Sequence, residues 1–146
     1  MDYKKTLSKL NELKQVMFNN TDNTVAYHKA GQEYDNILFK NMSFREYTFL
    51  VQNMTHKPTT EDDAKLVAAS SDNKNLSEVV ELTDQAQLAY AIKWYRQARK
   101  MTQGEVARIT GISQSQIAKA ESAKTDIPYS GASKILKAVG KPIRFA

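Results

Sequence analysis

The 146-residue chain has no cysteine, which excludes disulfides, thiolate zinc sites and cysteine nucleophiles and removes any argument for an oxidising compartment. It also lacks long apolar runs: none approaches the ~20 residues needed to span a bilayer. The N-terminal stretch "MDYKKTLSKL" is charged and without the apolar centre of a signal peptide. A cytoplasmic protein with no membrane association is therefore expected. Internal repeats and low-complexity tracts are absent. The only histidines, His28 and His56, have no partner cluster at metal-ligand spacing. Glu61, Asp62 and Asp63 form an acidic run, but at the start of a helix such residues are favoured by the macrodipole alone. There is no Ser/His/Asp order, glycine-rich phosphate loop or catalytic carboxylate pair. No catalytic residue, metal site or cofactor is expected, and the chain does not read as an enzyme.

What the chain does have is an uneven distribution of charge. Hydrophobic residues make up 41% and charged residues 25%, an ordinary globular composition with room for one domain or two small ones. The net charge of +5 hides a division: residues 1–82 carry 10 Lys/Arg against 12 Asp/Glu, a net −2, whereas residues 83–146 carry 11 against 4, a net +7. A basic C-terminal segment implies a polyanionic partner, and nucleic acid is the commonest one inside a cell.

Apolar spacing predicts helices through most of the chain. Tyr3, Leu7, Leu10, Leu13 and Met17 recur every three or four residues, the pattern of an amphipathic helix over 2–18. "NNTDNT" ends it. Residues 24–40 read as helix with a break near Gly31. Ser43 and Glu46 have capping-box spacing ahead of Phe44, Tyr47, Leu50, Val51 and Met54. "THKPTT" is a linker by composition, Thr60 is placed to cap a short helix through Ala69, and "SSDNKN" is a second polar break. A domain boundary is expected here, with domains 1–75 and 76–146. "NLSEVVEL" then resumes helical structure, and Thr83 is placed to cap a segment with Leu88, Ala91, Ile92 and Tyr95 facing inward.

Beyond residue 100 the spacing becomes specific. Thr102 caps a short helix, "QGEVARIT", with Val106, Ala107 and Ile109 expected inside. Gly111 permits a left-handed turn, Ile112 plugs it, and Ser113 caps the next helix. Two short helices joined by a glycine turn form a helix-turn-helix. Ala107 is small enough to let them cross closely, and Ile117 anchors the second helix to the core.

These residues resemble the lambda and 434 phage-repressor type of helix-turn-helix, the XRE or Cro/C1 type. The resemblance covers roughly residues 88–140 through Arg96, "MTQGEVA", "GISQSQIAKAE", Pro128 and "SKILKAVG". It implies an all-α fold, a helical N-terminal domain followed by a lambda-repressor-like domain. It also implies base contacts in the major groove from Gln114, Ser115, Gln116 and Lys119. Glutamine pairs bidentately with adenine N6/N7, serine donates or accepts, and lysine suits guanine O6/N7 or a phosphate. Gln103, at a helix N-terminus, resembles the family's phosphate contact. Ser122 and Lys124 fit its backbone-clamping loop, and Arg99 and Lys100 lie within reach of phosphate at the end of the first helix. Arg96 and Glu121 match a structural salt bridge of the family and are kept off the DNA list. Two departures stand out. Gly104 weakens its helix by about 1 kcal/mol relative to alanine, and Tyr129 replaces a basic residue that some relatives direct at the minor groove. Trp94 and Tyr95 are expected to pack rather than stack on bases. The tail "GKPIRFA" is read as a short C-terminal strand, either loose or paired across a dimer.

The implied function is a sequence-specific repressor acting as a homodimer on a double-stranded DNA operator. Phage repressors of this type usually carry the DNA-binding module first. The reversed order resembles HigA-like and, in order only, MqsA-like antitoxins. That points to a protein toxin bound by residues 1–75, with the helix bearing Leu7, Leu10 and Leu13 as either its docking face or simply the core of this domain. A phage-encoded inhibitor of the anti-CRISPR type fused to its own repressor module, and a stand-alone regulator, are the alternative readings.

Overall fold

Short polar side chains start the helices of this protein. In the computed structural model, which describes residues 2–124 and 127–141, seven of the eight α-helices begin at an Asp, Thr or Ser whose side chain accepts a backbone N–H of the first turn. Each such cap is worth about 1 kcal/mol. The helices are α1 (Tyr3–Phe18), α2 (Val25–Leu38), α3 (Phe44–Gln52), α4 (Thr60–Ser71), α5 (Asp84–Ala98), α6 (Gln103–Thr110), α7 (Gln114–Glu121) and α8 (Tyr129–Ala138). A 3-10 turn at Leu76–Glu78 completes the set, and the described residues contain no strand. The described residues are all-α. The tail expected to form a strand lies outside the described residues from Pro142 onward.

The chain divides into two units, Met1–Leu82 and Thr83–Ala146. In the first, α1 packs against α2 and α4, and α2 against α4. Leu10 and Leu13 from α1, Ala30, Tyr34 and Leu38 from α2, and Ala64, Leu66 and Val67 from α4 are buried. Each fully buried leucine or valine contributes about 1.5–3 kcal/mol. The α1 leucines are thus core, with Leu7 only half-buried, so they do not form the exposed docking face that one reading gave them.

Several local expectations shift. Helix α2 runs through Gly31 without a break, because the stripe Ala30, Tyr34, Leu38 holds it to the core and outweighs a glycine penalty of about 1 kcal/mol. There α1 comes close: a Cβ on Gly31 would lie 3.6 Å from Met17 Sδ. The cap of α4 is Thr59 rather than Thr60, in a reciprocal capping box with Asp62. The boundary expected after residue 75 falls instead at Leu82. Leu76, Val80 and Leu82 are buried, and Leu82 forms an antiparallel bridge with Met54 that is extended by a bond from Thr55 N to Glu81 O of 3.1 Å.

A polar network lies among the helices of the first unit. The Asp63 carboxylate accepts from the Tyr34 hydroxyl and, at 2.7 Å, from the Tyr47 hydroxyl. Burial first, and then the hydrogen bond to Asp63 and its charge, push both phenols above the usual tyrosine range. The neighbouring Asp62 accepts from the Thr59 N–H and hydroxyl, each at 3.0 Å, and pairs with His56 Nε2 at 2.9 Å. Burial opposes its ionisation, but these hydrogen bonds outweigh burial and hold its carboxyl below the usual range. The acidic run is a structural device here, and no group of residues that would hold a metal occurs among the described residues.

Candidate nucleic-acid interface

The second unit is built to present one short helix. Ile92, Val106, Ile117, Ala120, Ile135, Leu136 and Val139 form its buried core, with Leu88, Tyr95, Met101, Ala107 and Ile112 packed against them. Both α5 and α6 contact α7, and α6 also contacts α8. Between α6 and α7 the chain turns at Gly111, whose φ of 75° lies in the left-handed region that favours glycine. Its N–H closes α6 by donating to Ala107 O at 2.9 Å. Ile109 is 57% exposed rather than inside. Three residues on from Val106, its side chain falls about 60° short of a full turn, and the half-buried Ala107 and Thr110 occupy the inward face instead.

Two ends of α7 are held by different means. At its start, Ser113 and Gln116 form a reciprocal capping box. At its end, Glu121 is buried and clasped by Arg96 of α5, with Nε to Oε2 at 2.7 Å and Nη2 to Oε1 at 2.9 Å. The two side chains are only 12% and 5% exposed. Arg96 Nη1 also donates to Met101 O at 2.7 Å, which ties the α5–α6 corner into the same cluster. That corner is a left-handed closure: Lys100 has φ 56°, and Met101 N donates to Arg96 O at 3.0 Å.

With Ile117 and Ala120 directed into the core, Gln114, Ser115, Gln116 and Lys119 are left exposed on α7. The structure brings all four expected base-reading residues onto one short exposed helix. Residues 92–145, within this unit, match the helix-turn-helix family model. The C-terminal unit is an XRE-type helix-turn-helix DNA-binding domain. The family is a non-catalytic DNA-binding module, and the domain is of the kind that serves transcriptional regulation. No curated protein and no solved structure matches the chain. No described helix is long and apolar enough to cross a membrane.

The residues expected to touch phosphate are placed less uniformly around the helix-turn-helix. Lys124 is exposed after α7. Ser122 is the C-cap of α7, and its hydroxyl donates to Lys119 O at 2.9 Å. Gln103 begins α6 but is half-buried, with Nε2 donating to Glu121 Oε1 at 3.3 Å. It therefore belongs to the Arg96–Glu121 cluster in this structure. Arg99 and Lys100 are exposed at the end of α5. The Arg99 guanidinium lies where a side chain on Gly140 would begin, so that glycine, with φ 83°, makes room for it. Among the aromatic residues, Tyr95 packs on the core beneath Lys141, whose Nζ is 5.3 Å from the ring centroid, and Trp94 stacks with Tyr90 at 6.4 Å. The sequence reading missed the engagement of Gln103, because it depends on the fold bringing Glu121 within reach, and the capping role of Gln116, which the Ser-x-x-Gln spacing of Ser113 and Gln116 does signal.

Proposed function

We propose that this protein is a sequence-specific repressor whose lambda-repressor-like domain reads a palindromic operator as a homodimer, with half-sites about one helical turn apart. The observation that carries this reading is the exposed edge of α7, with Gln114, Ser115 and Lys119 turned outward while Ile117 and Ala120 are anchored in the core. The +7 balance of residues 83–146 supports it, since phosphate neutralisation supplies most of the non-specific affinity for DNA. A single module has a small interface for tight specific binding, which favours the dimer. Base readout is assigned to Gln114, Ser115, Gln116 and Lys119, and phosphate contacts to Gln103, Ser122, Lys124, Arg99 and Lys100.

The proposal extends to the unit in front. An N-terminal domain preceding a helix-turn-helix has the order of HigA-like antitoxins, and we assign residues 1–82 to a protein partner, a toxin, in a cytoplasmic autoregulated pair. With Leu10 and Leu13 in the core, the exposed Phe18 (85%) and Val25 (84%) remain as apolar contacts for it.

Titration of a selected operator and of random DNA with wild type and Gln114→Ala tests the DNA reading. The substitution is expected to weaken the operator by about 1–3 kcal/mol and to leave random DNA nearly unchanged. An equal loss on both would remove Gln114 from base readout. For the partner, expressing the neighbouring reading frame alone should arrest growth, and adding this chain should restore it. Growth unaffected by that frame overturns the antitoxin role.

A further inference from the structure

We propose that Gln116 reads a base edge that only accepts hydrogen bonds, guanine O6/N7, with thymine O4 as the other source of the same chemistry. The inference rests on α7 being the recognition helix and concerns what one of its side chains has left to offer.

The Ser113 N–H can only donate, so the Gln116 atom facing it is the carbonyl oxygen. Oε1 accepts from Ser113 N at 3.2 Å and from Ser113 Oγ at 3.2 Å, while Ser113 Oγ accepts from Gln116 N at 3.2 Å. This reciprocal cap fixes which end of the amide faces the helix start. The two N–H groups of Nε2 remain, with no acceptor among the described residues, on an exposed side chain. Bidentate pairing with adenine needs the carbonyl for N6 as well as the amide for N7. With both lone pairs of Oε1 engaged, Gln116 would have to release one of its Ser113 bonds to do that. Guanine presents two acceptors side by side and makes no such demand. Gln114 differs: it is exposed, no described residue holds its amide in a hydrogen bond, and its Oε1 lies only 3.6 Å from where a Cβ on Gly104 would stand. It keeps both functions for adenine. Two glutamines two positions apart on one helix thereby acquire different preferences from their surroundings.

Selection from a randomised DNA library with the full-length chain, as wild type and as Gln116→Glu, tests this. Glutamate retains oxygens for the cap but has no donor. Wild type is expected to select guanine or thymine at one position of each half-site, and Gln116→Glu to lose that preference alone while melting at an unchanged temperature. If a G·C pair is selected, 7-deazaguanine there should weaken wild type by roughly fivefold or more and leave Gln116→Glu unaffected; if a T·A pair is selected, 7-deazaadenine opposite the thymine should leave wild type unaffected, which identifies O4 as the source. A wild-type preference pattern that Gln116→Glu leaves intact confines Gln116 to capping and overturns the inference. An A·T pair at the position the variant disrupts, with wild-type binding weakened by 7-deazaadenine there, marks adenine as the base read and overturns it as well. A wild type that selects no sequence refutes the operator reading itself, an outcome distinct from both.

Discussion

Lys100 shows how a residue's backbone can oppose its side chain. Its φ of 56° costs a non-glycine residue about 1 kcal/mol, yet it closes α5 and carries a charge beside the start of α6. Lys100→Gly relieves the backbone and deletes the charge. Thermal melting is expected to rise by a few degrees, the gain partly offset by the greater freedom of glycine in the unfolded chain. If Lys100 meets a phosphate, the log–log salt dependence of DNA binding should lose about one unit of slope. A higher melting temperature with an unchanged slope would assign the lysine to no DNA contact.

At the scale of the element, α6 carries Gly104 in its first turn although alanine fits. An added Cβ would find Gln114 Oε1 at 3.6 Å and Thr102 Oγ1 at 3.8 Å, both ordinary contact distances. Gly104→Ala should therefore stabilise the domain by up to about 1 kcal/mol in a denaturant melt. If the bare backbone is there to admit a phosphate, the same variant should bind every DNA sequence more weakly, and unaltered binding would remove that rationale. Elements were also where the sequence was most legible. Thr102, Gly111 and Ser113 announce the helix-turn-helix because caps and left-handed turns demand particular residue types. Ile109 misled because a short helix has few turns in which to average out an apolar residue at the margin of its buried face. The polar run "SSDNKN" resembles a linker, and only the burial of Leu76, Val80 and Leu82 shows that the chain returns to the first unit after it. The Tyr34–Asp63–Tyr47 cluster joins three helices across long sequence separations, and no local pattern encodes it.

At the scale of the whole molecule, the two units stabilise buried carboxylates differently: neutral phenols hold Asp63, and a guanidinium holds Glu121. Tyr34 and Tyr47 titrate higher folded than unfolded, so their contribution is complete below about pH 10 and is lost as pH rises toward their folded values. Asp62 behaves oppositely: its contribution is complete above about pH 4 and is lost as acid carries it through its depressed folded value. Arginine stays charged throughout. Above pH 10 the first unit is expected to weaken before the second. Trp94, the sole tryptophan, lies in α5 and reports the second unit by fluorescence, while circular dichroism reports both. Coincident loss of the two signals, or the same alkaline loss in a Tyr34→Phe, Tyr47→Phe double variant, would contradict this assignment.

The clasp between Arg96 and Glu121 also constrains how this sequence can drift. Removing one member strands a buried charge, at about 3–5 kcal/mol, whereas replacing both with apolar residues of similar volume is often neutral or better. Arg96→Met and Glu121→Leu are each expected to lower the melting temperature sharply, and the double variant to recover most of the loss in a double-mutant cycle. Single-step mutation must therefore cross a deep valley to leave this pair, so the two positions should be inherited together, even while the exposed residues of α7 between them change freely.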